Sequence, residues 1–315
     1  MNILITGATG FIGTNLIKSL SKYKYIKKII ALDSMISSDN HNLNFLNNLN
    51  KKIVFIKQDI NDNLNIKGRI DLIVNLACPA SPPIYQNHAI YTLRTSTIGL
   101  FNLLDFAKKK KSRFLQASTS EIYGDPLVSP QSENYNGNVN TVGPRSCYDE
   151  GKRVAESICY EYKNKYNLDI RIMRIFNTFG PFMSLKDGRV ISNFIDQIIK
   201  GKPLTIYGKG NQTRSFCFID DLIKYIEFLC FSKNKNMFGP FNIGNDNEIT
   251  IKELVKKLER IKGKKLKITR KPLPIDDPKQ RMPDLRKIKK HLKIKYTPLE
   301  AVSYTHLTLP TKRIV

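Results

Sequence analysis

Short apolar runs alternate with longer stretches of helical periodicity over the first half of the chain. Ile3–Thr6, Lys28–Leu32, Ile53–Ile56, Asp71–Leu76, Arg113–Ala117 and Ile170–Ile175 read as buried parallel strands. Between them, Ile12–Leu20, Ile90–Ala107 and Glu150–Tyr166 repeat apolar residues at helical spacing. Strands that alternate with helices predict an α/β fold, a Rossmann-type doubly wound parallel sheet. Glycine and proline thicken after Asn177, at Gly180-Pro181 and Gly201-Lys202-Pro203. This predicts a larger domain over 1–177 and a smaller C-terminal lobe over 178–301, built of shorter elements, parts of which are free to return to the main sheet. The tail Val302–Val315 has no amphipathic period. Its stretch Ser303–Thr311 looks like translated adapter read-through, so 302–315 is set aside as a non-native tail.

Composition narrows the class. No apolar run in the 315 residues reaches the roughly 18 needed to span a bilayer. Met1-Asn2 leads directly into Ile3-Leu4-Ile5 with no leader, so a cytoplasmic protein with no membrane partner is expected. The five cysteines are scattered without a CxxC pair, as suits reduced thiols. The four histidines lack ligand spacing, so no metal is expected. The net charge of +25 raises the question of nucleic acid. The lysines are spread along the chain, however, and the dense run Lys108–Lys111 falls at an expected helix C-terminus, where cations are favoured. With no aromatic-basic motif, no nucleic-acid partner is expected; the excess reads as codon bias. It would still help attract an anionic small molecule.

Gly7-Ala-Thr-Gly10-Phe-Ile-Gly13 follows the first strand and opens the first helix. Gly7 permits a tight turn, Gly10 lets the backbone approach a pyrophosphate, and Gly13 lets helix and strand pack closely. The helix N-terminus offers free N–H groups to phosphate. Asp33 ends the second strand, where a carboxylate binds the adenosine ribose and repels a 2′-phosphate. NAD is therefore expected over NADP. Asp59-Ile60 ends the third strand within reach of an adenine, and Phe11, Ile12 and Ala77 complete the expected cofactor set.

Tyr148 and Lys152 are four apart and share a helix face. A free tyrosine titrates near 10, and a neighbouring ammonium is expected to lower it enough for a general base. The pair would take a proton from a sugar hydroxyl while NAD takes a hydride. Ser118-Thr119-Ser120-Glu121 should end at the same carboxyl edge of the sheet.

Together these motifs resemble the extended short-chain dehydrogenase/reductases. Longer stretches resemble the UDP-glucuronate decarboxylases (UDP-xylose synthases): Asn75–Pro83, Ser118–Pro126, Gly143–Arg153, Arg174–Pro181, Gln212–Arg214 and Arg281–Asp284. The similarity runs from residue 1 to about 300. It departs at Asn75, where the family usually has His, and at Ser96, where it usually has Asn. Both departures are expected to loosen the cofactor pocket. The family's C-terminal helix gives way to the tail.

The resemblance implies oxidation at C4 of UDP-glucuronate with Tyr148 as base, loss of CO2 from the 4-keto acid, and re-reduction with NAD retained. It implies Thr119 and Tyr148 as donors to the C4 oxygen, Glu121 and Arg281 as catalytic groups near the ring, and Ser120, Asn177, Asn193, Tyr207, Arg214 and Arg281 as substrate-binding residues. It also implies a homodimer formed through a helix bundle. The alternatives are a 4,6-dehydratase, which carries an aspartate where Ser120 stands, a 4-epimerase, which usually lacks a counterpart of Glu121, and a decarboxylase that releases the 4-keto sugar. From another class, a non-catalytic nucleotide- or RNA-binding protein on the same fold rests on the charge alone.

Overall fold

The computed structural model describes residues 1–38 and 40–299, so the tail lies outside it. The strands are β1 (Asn2–Thr6), β2 (Lys28–Asp33), β3 (Ile53–Lys57), β4 (Leu72–Asn75), β5 (Arg113–Thr119), β6 (Ile170–Ile175), β7 (Thr178–Phe179), β8 (Leu204–Tyr207), β9 (Thr213–Ser215), β10 (Cys217–Phe218), β11 (Phe241–Ile243), β12 (Glu248–Thr250) and β13 (Ile268–Lys271). The helices are α1 (Phe11–Leu20), α2 (Asn40–Leu49), α3 (Pro82–Asn87), α4 (Ala89–Ser96), α5 (Ile98–Lys110), α6 (Ser146–Tyr166), α7 (Val190–Ile199), α8 (Ile219–Phe231), α9 (Ile251–Lys262) and α10 (Arg286–Lys289).

Seven strands form one parallel sheet in the order β11-β6-β5-β4-β1-β2-β3. Its inner strands β1, β2 and β4 are mostly apolar because both faces are covered. Ile3 and Ile5 of β1 pack with Leu16, Ile17 and Leu20 of α1 and with Leu222 and Ile226 of α8. Leu4, between them, points to the other face, with Leu100, Leu103 and Leu104 of α5 and Ala155 and Ile158 of α6. Each such side chain, fully buried, contributes about 1.5–3 kcal/mol. The order reverses between β1 and β4. In an open α/β sheet that is where the carboxyl ends of the strands leave a crevice for a ligand.

The chain after Asn177 builds a separate core from Phe194, Leu204, Ile206, Leu254 and Leu258, under α7, β8 and α9. Its strands are short, but α7, α8 and α9 are not, running to 10, 13 and 12 residues. Thr250 and Glu253 form a reciprocal capping box that starts α9, a signal present in the sequence as Thr-Ile-Lys-Glu. From this half β11 crosses back to pair with β6, Phe241 opposite Met173.

Two helices differ from their sequence reading. The expected helix over 90–107 is two helices, α4 and α5, that break at Thr97 (φ −116°, ψ −78°). The Thr97 hydroxyl donates to Leu93 O at 2.8 Å, competing locally with regular helical geometry. The helix expected from Glu150 starts earlier, at Ser146, whose hydroxyl donates to Gly143 O at 2.8 Å. Tyr148 therefore stands in its first turn. No helix among the described residues is long and apolar enough to cross a membrane.

Candidate active site

The glycine turn joins β1 to α1 with Gly10 at the N-cap. Gly7 has φ +66°, and a Cβ there would lie 2.7 Å from the Leu76 backbone. A Cβ on Gly13 would lie 2.2 Å from Gly7 O. The turn is tied down from outside. Asp33, at the end of β2, accepts from Thr9 N at 3.0 Å and from Met35 N at 2.9 Å, and Asn42 donates to Thr9 O at 2.9 Å.

Two adjoining cavities open at this edge of the sheet. The smaller, about 70 Å³, is lined by Gly7, Gly10, Asp33, Asp59, Ile60 and Ala77. The larger, about 510 Å³, begins at Gly7, Gly10, Phe11, Ile12 and Gly13 and reaches Thr119, Ser120, Glu121, Tyr148 and Lys152. It continues to Asn177, Asn193, Tyr207, Arg214 and Arg281. All the candidate cofactor, catalytic and substrate residues thus line one cavity or the other, whereas Asn75 and Ser96 line neither.

Asn75 is hydrogen-bonded into this region. Its Oδ1 accepts from Thr6 Oγ1 at 2.7 Å and from Ala77 N at 3.2 Å, and its Nδ2 donates to Gln116 Oε1 at 2.9 Å. The amide thereby ties β1, β4 and β5 together at their carboxyl ends. Ser96 packs under Gly151 of α6, and its hydroxyl lies 3.6 Å from the Cys78 thiol.

Tyr148 is buried, with its ring stacked on Tyr85 at 5.0 Å between centroids and 4° between planes. The Lys152 ammonium donates to Ala117 O at 2.9 Å and lies 5.8 Å from the centre of the Tyr148 ring. The expected lowering of the phenol does not prevail. Burial pushes Tyr148 up, the neighbouring Cys78 adds to the rise, and Thr119 and Arg189 pull it down by less. The reason is desolvation: the phenolate loses water, while Lys152 directs a hydrogen bond at a main-chain carbonyl.

Glu121 follows β5 in a short 3₁₀ turn capped by Thr119, whose hydroxyl accepts from Glu121 N at 3.2 Å. Its carboxylate is gripped by the guanidiniums of Arg281 and Arg145. Burial opposes its charge, but the two arginines hold it down to about 2. Glu121 is therefore a fixed anion in this arrangement, unsuited to give or take a proton near neutral pH. Arg281 also donates to Gly124 O at 3.1 Å. Nearby, Asp149 has its carboxyl raised to about 7, by burial first and then by Glu121.

The remaining polar residues are anchored more loosely. Arg214 donates to Thr213 O at 2.8 Å and to Asp277 at 3.1 Å. Asn193 donates to Gly188 O at 2.8 Å. Sequence reasoning missed Arg145, Tyr85 and Asp277, all of which line the larger cavity. Arg145 lies inside a motif that had been noticed, but its pairing with Glu121, 24 residues away, has no signature in spacing.

The residues present fit a dinucleotide. The glycine turn leaves backbone, not side chains, at the helix N-terminus, and Asp33 and Asp59 stand at the two strand ends flanking the smaller cavity. Among the described residues no group of His, Cys, Asp or Glu gathers that could hold a metal ion.

A family model described as NAD dependent epimerase/dehydratase matches residues 3–268. UDP-glucuronic acid decarboxylase 6 of Arabidopsis thaliana is 43% identical over 93% of this chain and 83% of its own length. UDP-glucuronic acid decarboxylase 1 of Danio rerio is 43% identical over 91% of this chain and 67% of its own. Among solved structures, a UDP-glucuronic acid 4-epimerase from Bacillus cereus, in complex with UDP-glucuronic acid and NAD, superposes with a TM-score of 0.85. It is 27% identical and covers 98% of this chain and 99% of its own.

Proposed function

The chain belongs to the NAD dependent epimerase/dehydratase family, and within it we propose that it decarboxylates UDP-glucuronate to UDP-xylose. The observation that carries this reading is one cavity that runs from the glycine turn past Thr119 and Tyr148 to Arg281 and Arg214. The substrate is supported by the 43% identity to relatives bearing that name. Bound NAD would supply a hydride acceptor for C4 and the charge of its pyridinium ring. That positive charge would act against the burial that raises the Tyr148 phenol, and Tyr148 takes the proton of the C4 hydroxyl. As the C5–carboxylate bond breaks and CO2 leaves, its electrons move into the C4 ketone, and Thr119 and Tyr148 donate to that oxygen. C5 then takes up a proton from solvent, which restores the C4 ketone, and Tyr148 returns its own proton to O4 as C4 is reduced again. Lys152 holds the tyrosine helix against β5 through Ala117 O. Ser120 stands where an acid would be needed to expel a C6 hydroxyl, and a hydroxyl cannot fill that role near neutral pH.

The test is incubation of the purified, NAD-loaded protein with UDP-glucuronate, followed by mass spectrometry and absorbance of NADH. The expected result is a UDP-pentose formed with loss of CO2 and no build-up of NADH. A UDP-hexuronate isomer would replace this reading with a 4-epimerase, and accumulating NADH would mean release of the 4-keto sugar. Tyr148→Phe is expected to lower kcat at least about 100-fold while UDP still binds.

The same reading extends to surroundings. The proposed protein is cytosolic, with residues 1–177 holding NAD and 178–301 contributing most substrate contacts, and without a nucleic-acid partner. It is a homodimer: α4, α5 and α6 leave Ile90, Phe101, Val154 and Tyr160 between 39% and 77% exposed, an apolar surface suited to a second copy. Light scattering in solution tests this, and a monomeric mass at micromolar concentration would refute it.

A further inference from the structure

We propose that Tyr85 and Arg145 recognise the sugar carboxylate of the substrate and so set its specificity, a role that rests on the uronate reading above. Both line the larger cavity together with Thr119 and Tyr148. Tyr85 is 1% exposed, yet its hydroxyl has no hydrogen-bond partner among the described residues. The same holds for Nε of Arg145 and Nε of Arg281. Buried donors without acceptors are costly, and these three outnumber the unpartnered acceptor beside them, Asp149 Oδ1, so the cluster calls for a further acceptor.

The charges agree. Arg145 and Arg281 share a single carboxylate in direct contact, that of Glu121. The next carboxylates stand farther off: Asp149 is 3.7 Å from Arg145 Nε, and Asp277 is 3.9 Å from its Nη1 and already bonded to Arg214. Asp149 also resists ionisation there, as burial and Glu121 raise its carboxyl. Burial likewise pushes the Tyr85 phenol up, against a smaller pull from Arg145, so it stays a donor. The cluster is therefore rich in donors and carries an excess positive charge. A planar carboxylate brings the missing acceptors and the missing negative charge together.

The spacing suits a uronate. The Tyr85 ring lies parallel to that of Tyr148, the proposed base at O4. In the sugar, the carboxyl carbon is attached to the ring atom next to C4. One stacked pair of phenols can therefore address the reacting hydroxyl and the neighbouring carboxylate. The carboxylate keeps its charge on binding and through oxidation at C4, so a clamp on it stabilises the ground state and that transition state alike. It should act on KM and not on kcat.

The test uses the full chain loaded with NAD. In a Tyr148→Phe background, which leaves the ligand unconsumed, calorimetry compares UDP-glucuronate, UDP-glucose and UDP with and without Tyr85→Phe. The expected result is about tenfold weaker binding of UDP-glucuronate, the loss of one hydrogen bond to a charged group, with UDP-glucose and UDP changed less than about twofold. Arg145→Lys, which keeps charge but loses the planar fork, should act in the same direction. With Tyr148 intact, Tyr85→Phe should raise KM about tenfold and leave kcat within about twofold. Equal weakening of all three ligands, or no weakening of UDP-glucuronate, overturns the proposal. Should the unsubstituted protein bind UDP-glucuronate yet release no CO2, the decarboxylase reading fails separately, and the affinity comparison still decides the role of Tyr85.

Discussion

Replacing Asp149 by asparagine should stabilise the protein at alkaline pH and much less at acid pH. The carboxyl of Asp149 is raised from an ordinary 3.8 to about 7, by burial first and then by Glu121. The folded state therefore binds this proton more tightly than the unfolded state. Stability from the group is fully present below about pH 4 and is lost as pH rises toward 7. At 1.36 kcal/mol per pH unit, the loss between pH 5 and pH 8 is about 2–3 kcal/mol, a ceiling because the cluster can relax. Asparagine is close in shape to the protonated acid and has no charge to lose. Its advantage over aspartate should therefore grow by that amount from pH 5 to pH 8. At roughly 2 °C per kcal/mol for a chain of this size, the Tm difference should widen by about 5 °C. Differential scanning calorimetry at the two pH values measures it. An Asn-minus-Asp difference equal at pH 5 and pH 8 would refute the idea that Asp149 is held as an acid beside Glu121.

Other perturbations probe the frame. Gly13→Ala puts a Cβ 2.2 Å from Gly7 O, so the turn must shift; NAD affinity is expected to fall at least about tenfold, read by equilibrium dialysis. Thr250→Ala removes the hydroxyl that accepts from Glu253 N, leaving the bond from Thr250 N to the Glu253 carboxylate, and should lower Tm by about 2–4 °C, while Thr250→Ser should recover most of it. Ser120→Asp should yield no 4-keto-6-deoxy product by mass spectrometry, because an acid placed beside Glu121 does not by itself reposition the sugar.

What could be read in the sequence was set by local geometry. Six strands of the main sheet announced themselves as apolar runs, most of them buried on both faces, and the glycine turn, Asp33 and the Tyr148–Lys152 pair are signals of fixed spacing. The return of β11 to β6 was not legible in detail, because Phe241–Ile243 is three residues long and carries no pattern of its own. The break at Thr97 hid inside an unbroken helical period. The partners of Glu121 were hidden for another reason. Arg145 and Arg281 lie 24 and 160 residues away, and only the packing of α6 and of the chain after β13 brings them together. The expectation that Lys152 would dominate Tyr148 failed because spacing reveals a neighbour but not the loss of water around it.

The seventh strand also bears on how the polypeptide can be made and recombined. A nascent chain that has emerged only as far as residue 177 has an unfinished sheet, with the β6 edge open until Phe241 is synthesised. Once in place, Asn242 is stitched in by side chain as well as main chain: it donates to Gln131 O and Asp284 O and accepts from the Tyr123 hydroxyl. A gene fragment ending after β6 would therefore encode a bare, sticky margin prone to self-association. Exchanging the second half between relatives would transplant part of the first half's own scaffold, so crossover points chosen by counting domains would cut through a shared strand ladder.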